Sequence, residues 1–121
     1  MTWEVEYTDE FEEWWSCLSI GEQDAIAVVV GLLENKGPHL PFPYSSGIAT
    51  SRHAHMRELR IQYRGDPYRV LYAFDPRRIA LLLLGGSKVG NDRWYVENVS
   101  IADRLYDEHL KTLESEENCN G

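Results

Sequence analysis

Four basic side chains stand out by where they sit. Arg57, Arg60 and Arg69 lie in stretches that read as β-strand, and Lys88 follows a long apolar run. Strand alternation puts Arg57 on a face with Leu59, Ile61 and Tyr63. It puts Arg60 on the opposite face with Glu58, Gln62 and Arg64, and Arg69 alongside Leu71 and Ala73. An arginine among apolar neighbours is costly to bury unless it has a partner or a task. The commoner arrangement is a guanidinium that snorkels to the sheet rim and pairs with Glu58 or Asp66. Several together, joined by Lys88 at the end of the apolar strand, favour an anion site. A planar guanidinium can hold two phosphate oxygens, and an ammonium adds point charge.

The other reactive residues carry less. His53-x-His55 would place two imidazoles on one side of a strand, with no third ligand in view, so a surface pair is the plainer reading. His39 and His109 read as ordinary surface residues in a loop and on the last helix. Gly85-Gly86-Ser87-Lys88 lacks the G-x-x-x-x-G-K-S/T spacing of a phosphate loop, which argues against nucleotide binding of that kind. Trp94 and Tyr95 follow a predicted tight turn at Gly90-Asn91-Asp92, and either pack as cover or stack on bases. Cys17 and Cys119 have no metal or disulfide spacing.

The elements that must position these groups follow from pattern. The 121 residues suffice for one domain with its own core, expected over 1–113, with a frayed polar tail over 114–121. Trp3–Tyr7 alternates as a strand. Thr8-Asp9 offers a helix cap ahead of Phe11, Trp14, Trp15 and Leu18 at helical spacing. Ser19 and Glu22 form a capping-box pattern for a second helix with a stripe of Ile26, Val29, Val30 and Leu33, which Gly37-Pro38 stops. Residues 38–52 read as loop. Met56–Tyr63, Tyr68–Phe74 and Ile79–Leu84 are predicted strands, with turns at Arg64-Gly65-Asp66-Pro67 and Asp75-Pro76-Arg77. The last strand has no alternation and is expected to be central and covered on both faces. Val99, Ala102, Leu105, Tyr106, Leu110 and Leu113 predict a final helix. The fold class is α+β: a strand, a helical hairpin, a three-stranded antiparallel sheet and a C-terminal helix.

Charge is split along the chain. The formal net charge is −8, which excludes coating of nucleic acid by bulk charge. Residues 1–34 hold nine acidic and no Lys or Arg residues, whereas residues 52–93 hold nine Lys or Arg and four acidic ones. No apolar run approaches the ~20 residues that span a bilayer. Met1-Thr2-Trp3-Glu4 does not open a signal peptide. A cytoplasmic protein is expected.

The order Leu59-Arg60, Gly65-Asp66-Pro67-Tyr68-Arg69-Val70-Leu71-Tyr72, Gly86-Ser87-Lys88, Asp92-Arg93-Trp94-Tyr95 and Ala102-Asp103-Arg104-Leu105-Tyr106 resembles the RelE/ParE superfamily of toxin–antitoxin toxins. It is most similar to the HigB, phage Gp49-like branch, over nearly the whole chain. The resemblance implies a small toxin neutralised by an antitoxin that often carries a helix-turn-helix domain. RelE and HigB members cut messenger RNA on the ribosome without a metal or other cofactor, whereas ParE members poison DNA gyrase. By this resemblance Arg69 is the arginine that grips the scissile phosphate, and Lys88 a basic residue after the last strand. Arg60 belongs to the "LR" pair, and Tyr95 takes the place of a C-terminal tyrosine. Arg57 and Arg93 join Arg60 as candidate RNA-phosphate contacts.

The chain departs from RelE where two strand lysines are replaced by Met56 and Glu58, and from Gp49-like relatives where a second lysine is replaced by Val89. Metal-free RNA cleavage uses the 2′-hydroxyl as nucleophile and needs a base, an acid and cations for the charge on phosphorus. Arg69 and Arg60 suit the last task and Lys88 adds charge or acts as acid. Tyr95, Glu58 and His55 remain open as base. A non-enzymatic gyrase inhibitor and an inactive relic that only binds its antitoxin are the alternatives.

Overall fold

The computed structural model describes residues 2–90 and 93–120, with side chains to residue 117. In chain order the elements are β1 (Val5–Tyr7), α1 (Asp9–Ser16), α2 (Ile20–Lys36), a 3-10 turn (Gly37–His39), β2 (Ser45–Gly47), β3 (Arg57–Tyr63), β4 (Asp66–Phe74), β5 (Ala80–Ser87) and α3 (Trp94–Asn120). No described helix is long and apolar enough to cross a membrane.

The local signals set the helical hairpin. The Thr8 hydroxyl accepts the Phe11 amide at 3.0 Å and caps α1. Ser19 and Glu22 close a reciprocal capping box at 3.2 and 2.9 Å and start α2. Caps of this kind are each worth about 1 kcal/mol. Gly37 ends α2 at φ 57, and a Cβ there would stand 2.4 Å from the Trp3 indole, so the stop requires glycine on two counts.

The sheet is five-stranded and mixed, in the order β1-β5-β4-β3-β2. This corrects the three-stranded antiparallel sheet expected from the sequence. The helical hairpin carries the chain back across the sheet, so β1 lies parallel to β5, with Val5 opposite Ala80. Residues expected to be loop supply β2, antiparallel to β3 with Ser45 opposite Leu59. Ser45 is buried, and its hydroxyl bonds the Tyr72 hydroxyl at 2.6 Å.

Helices cover both faces. Phe11, Ile26, Leu33, Leu59, Val70 and Leu82 form the core under α1 and α2. Met56, Leu71, Leu83, Val99, Leu105 and Tyr106 form the core under α3. The unalternating run in β5 is thus buried on both faces and lies between β1 and β4, as its composition predicts.

Three boundaries differ from expectation. The β3–β4 connection is a two-residue turn, Arg64-Gly65, with φ of 52 and 81, the doubly positive pattern that matches strand twist. Asp66 and Pro67 therefore belong to β4. β5 continues through Gly85 and Gly86 to Ser87. α3 begins at Trp94 and continues through the polar stretch expected to fray, with no Gly or Pro to break it. Of the predicted turn at Gly90-Asn91-Asp92, Asn91 and Asp92 lie outside the described residues; Gly90 has φ 64.

Candidate functional site: a carboxylate-centred basic cluster

Register decides which of the basic residues meet. In the β3–β4 ladder Arg60 stands opposite Arg69, and Glu58 opposite Leu71. All four side chains project to the α3 face. In the β4–β5 ladder Arg69 stands opposite Gly86. A Cβ at Gly86 would lie 2.5 Å from Trp94 Nε1, so the missing side chain is what lets the buried indole lie against β5. Trp94 opens α3 and packs edge-on against Tyr95, with ring centroids 5.3 Å apart. Gly86 therefore indirectly sets where the Tyr95 hydroxyl goes.

That hydroxyl goes to Glu58. Tyr95 donates to Glu58 Oε1 at 2.5 Å. Arg69 Nε lies 3.3 Å from the same oxygen. On the other side Ser46 Oγ donates to Oε2 at 2.7 Å and Arg60 Nη1 at 3.3 Å. One carboxylate thus ties β2, β3, β4 and α3 together. Like-charged Arg60 and Arg69 can stand opposite each other because Glu58 sits with both. Burial and the bond to Glu58 raise the Tyr95 phenol above its ordinary range, with Arg69 acting in the opposite direction. The phenol stays protonated at neutral pH.

Access to the two arginines is unequal. The Arg69 side chain is 6% exposed and that of Arg60 30%. Arg69 Nη1 donates to the Tyr68 carbonyl at 3.0 Å. Its Nε–H, though close to Glu58, is not aligned on the carboxylate and makes no hydrogen bond. The Arg60 guanidinium lies 5.2 Å over the exposed Phe42 ring, and Lys88 Nζ 4.6 Å over the Tyr95 ring. Both arginines border a groove of about 430 Å³ shared with Pro43, Tyr44 and Gln62.

Not every sequence candidate joins the cluster. Arg57 projects to the opposite sheet face, as alternation requires, and its Nε donates to Ser45 Oγ at 3.0 Å. With His55 it lines a separate pocket beside Asp75 and Tyr106. His55 is thereby removed from the base candidates of the cluster. Arg93 is exposed immediately before α3. His53 and His55 lie in a bend, not a strand, and His53 Nε2 pairs with Asp107 at 2.8 Å. Among the described residues no group of three or more His, Cys, Asp or Glu is placed to hold a metal.

Sequence reasoning treated Glu58 as a pairing partner or a base and missed it as the hub; it also ended the strand at Leu84, short of Gly86. The signal for Glu58 was present, since alternation puts it on the face of Arg60. Ser46 left no signal, because β2 was not legible. A larger cleft of about 490 Å³ lies elsewhere, between α1, α2 and β1, lined by Tyr7, Phe11 and Trp15 with Glu12 and Glu34.

Comparison with known proteins agrees with the pattern of motifs. The chain is 44% identical over 99 residues to a Mycobacterium tuberculosis protein named "Putative toxin HigB3", covering 78% of this chain and 82% of that one. It is 34% identical over 108 residues to "Putative toxin HigB2" of the same organism, covering 88% of this chain. The chain spans only about half, 54%, of the length of that second relative. The sequence profile described as "Phage derived protein Gp49-like (DUF891)" matches residues 13–107, and the chain belongs to this Gp49-like family.

Proposed function

We propose that the chain is the toxin of a toxin–antitoxin pair and cleaves messenger RNA on the ribosome without a metal. The observation that carries this reading is the collection of Arg60, Arg69, Lys88 and Tyr95 around one end of the sheet in a chain of net charge −8. The names of the two mycobacterial relatives support the toxin role.

In the reaction the 2′-oxygen attacks phosphorus and the bond to the 5′-oxygen breaks, leaving a 2′,3′-cyclic phosphate and a 5′-hydroxyl. The cations offset the charge gathered on the phosphoryl oxygens. Tyr95, held as a protonated phenol, suits the proton donor to the leaving oxygen and not the base, its O–H turning from Glu58 Oε1 to that oxygen as it acts. Both oxygens of Glu58 are already taken by donors. The 2′-hydroxyl proton is then lost to water or to a ribosomal group, and the ribosome contributes alignment of the RNA.

The partner is a helix-turn-helix antitoxin. The cleft of α1, α2 and β1 is apolar with Glu12 and Glu34 among its lining residues, which suits a basic segment of such a protein.

Inducing the wild type and Tyr95→Phe in cells and mapping transcript 5′ ends tests the activity. New ends should arise within translated messages for the wild type and fall at least tenfold for the variant. A wild type that produces none is not a nuclease. The replacement of the two RelE strand lysines by Met56 and Glu58 favours gyrase inhibition as the second reading, and a supercoiling assay unaffected by excess protein would exclude it.

A further inference from the structure

The proposed reaction leaves one buried titratable group without a task. Glu58 is 4% exposed, and a carboxylate is not buried at a sheet end without consequence. Its four partners divide by access. Tyr95 and Arg69 share Oε1 on the inner side, with the Arg69 side chain 6% exposed. Ser46 and the 30%-exposed Arg60 share Oε2.

We propose that Glu58 and Arg69 form a buried positioning pair that fixes the Tyr95 hydroxyl, and that a bound RNA phosphate is gripped by Arg60 and Lys88 instead of Arg69. The phosphate half rests on the RNA reading above; the positioning half does not.

Three observations carry it. An arginine built to hold a phosphate presents its donors to the groove, yet one donor of Arg69 goes to the Tyr68 carbonyl and another, Nε, is buried 3.3 Å from the Glu58 carboxylate. Freeing Arg69 for an outside anion would leave the Glu58 carboxylate buried with its main inner cation engaged elsewhere, which is strongly unfavourable. Arg60, by contrast, gives Nη1 to Glu58 at 3.3 Å from a side chain that is still 30% exposed, and both it and Lys88 rest on an aromatic face, Phe42 and Tyr95. Such contacts steady a cation without consuming its hydrogen-bond donors. Phe42 is 69% exposed and so also offers a ring on which a neighbouring base can stack.

Two measurements test the two halves. The first is binding of a 2′-O-methyl oligoribonucleotide, whose blocked nucleophile prevents cleavage, as a function of salt. For single strands each lost phosphate contact lowers the slope of log K against log salt by about 0.7. Arg60→Gln and Lys88→Gln should each lower it by that amount. The double variant Glu58→Gln with Arg69→Met, which removes both buried charges together, should leave it unchanged. A double variant that loses about 0.7 overturns the assignment by showing that Arg69 contacts phosphate. So does a Glu58→Gln variant whose slope steepens, because the carboxylate then merely blocked Arg69. A wild type that binds no oligonucleotide overturns the phosphate half, whereas the RNA reading, which includes the ribosome, is decided by the transcript ends.

The second measurement needs no RNA. Ultraviolet titration of the tyrosines, with Tyr95→Phe to identify the signal, should show the Tyr95 phenol ionising at lower pH in Glu58→Gln. If that single variant does not fold, the double variant reads the same shift, because Glu58 outweighs Arg69 in its effect on the phenol. An unmoved titration overturns the positioning role, which a merely space-filling Glu58 would also leave unmoved.

Discussion

Asp75 offers the sharpest test of how the sheet is fastened to α3. Its side chain is fully buried in the β4–β5 turn. Oδ1 accepts the Arg77 and Ile79 amides at 2.8 and 3.2 Å, and Oδ2 accepts Arg77 Nη2 at 2.7 Å and pairs with His109 Nε2 of α3 at 2.9 Å. Asp75→Ala removes all of these. The Arg77 side chain is 39% exposed and keeps Glu6 at 2.8 Å, so its share is small. The two turn amides and the His109 contact remain, each worth about 1 kcal/mol net, and the expected loss is about 3 kcal/mol at neutral pH. Burial alone would raise the Asp75 carboxyl, but the bonds from His109, Arg77 and the turn amides outweigh it and hold the group below its ordinary range. A folded-state value below the unfolded one contributes stability above pH ~4 that disappears as pH falls through the folded value. Urea unfolding of wild type and variant at pH 7 and pH 3 checks both parts. The difference should be about 3 kcal/mol at pH 7 and clearly smaller at pH 3. A difference below about 1 kcal/mol at pH 7, or one that does not change with pH, refutes the account.

Two further outcomes are expected. Gly86→Ala places a methyl 2.5 Å from Trp94 Nε1, so it should cost about 1–3 kcal/mol in denaturant unfolding and, by moving Tyr95, reduce the proposed RNA cleavage; Val89→Ala, on an exposed side chain, is the control. The Tyr68 hydroxyl donates to Glu22 Oε2 at 2.6 Å, and that bond, with burial, pushes its pKa up to about 12. A raised phenol stabilises the fold below pH ~10 and ceases to do so as pH rises towards 12, so alkaline unfolding should be delayed in wild type relative to Glu22→Gln.

Much of the architecture was readable because its causes are local. The Thr8 cap, the Ser19–Glu22 capping box and the Gly37 stop each act within one turn of helix, and all three are formed. Alternation correctly separated Arg57 from Arg60, because the period of a strand is fixed by its backbone; that Arg69 shares the face of Arg60 was decided by the β3–β4 register. The doubly buried character of β5 followed from its unbroken apolar run. The edge strands were harder. β2 is three residues long, and β1 runs parallel to a partner more than seventy residues away. Pairing at that separation leaves no periodic trace.

The cluster at the sheet end shows the same division. Composition and spacing alone determined that the chain carries its positive charge between residues 52 and 93, and that Arg60, Arg69 and Lys88 belong to strands or their ends. Only the tertiary structure decided which of them meets solvent. Arg69 is closed in because Gly86 admits the Trp94 indole on one side while Glu58, reached by Tyr95 and Ser46, stands on the other. Burial depends on what packs over a side chain from distant segments, and neither residue type nor spacing along the strand encodes it.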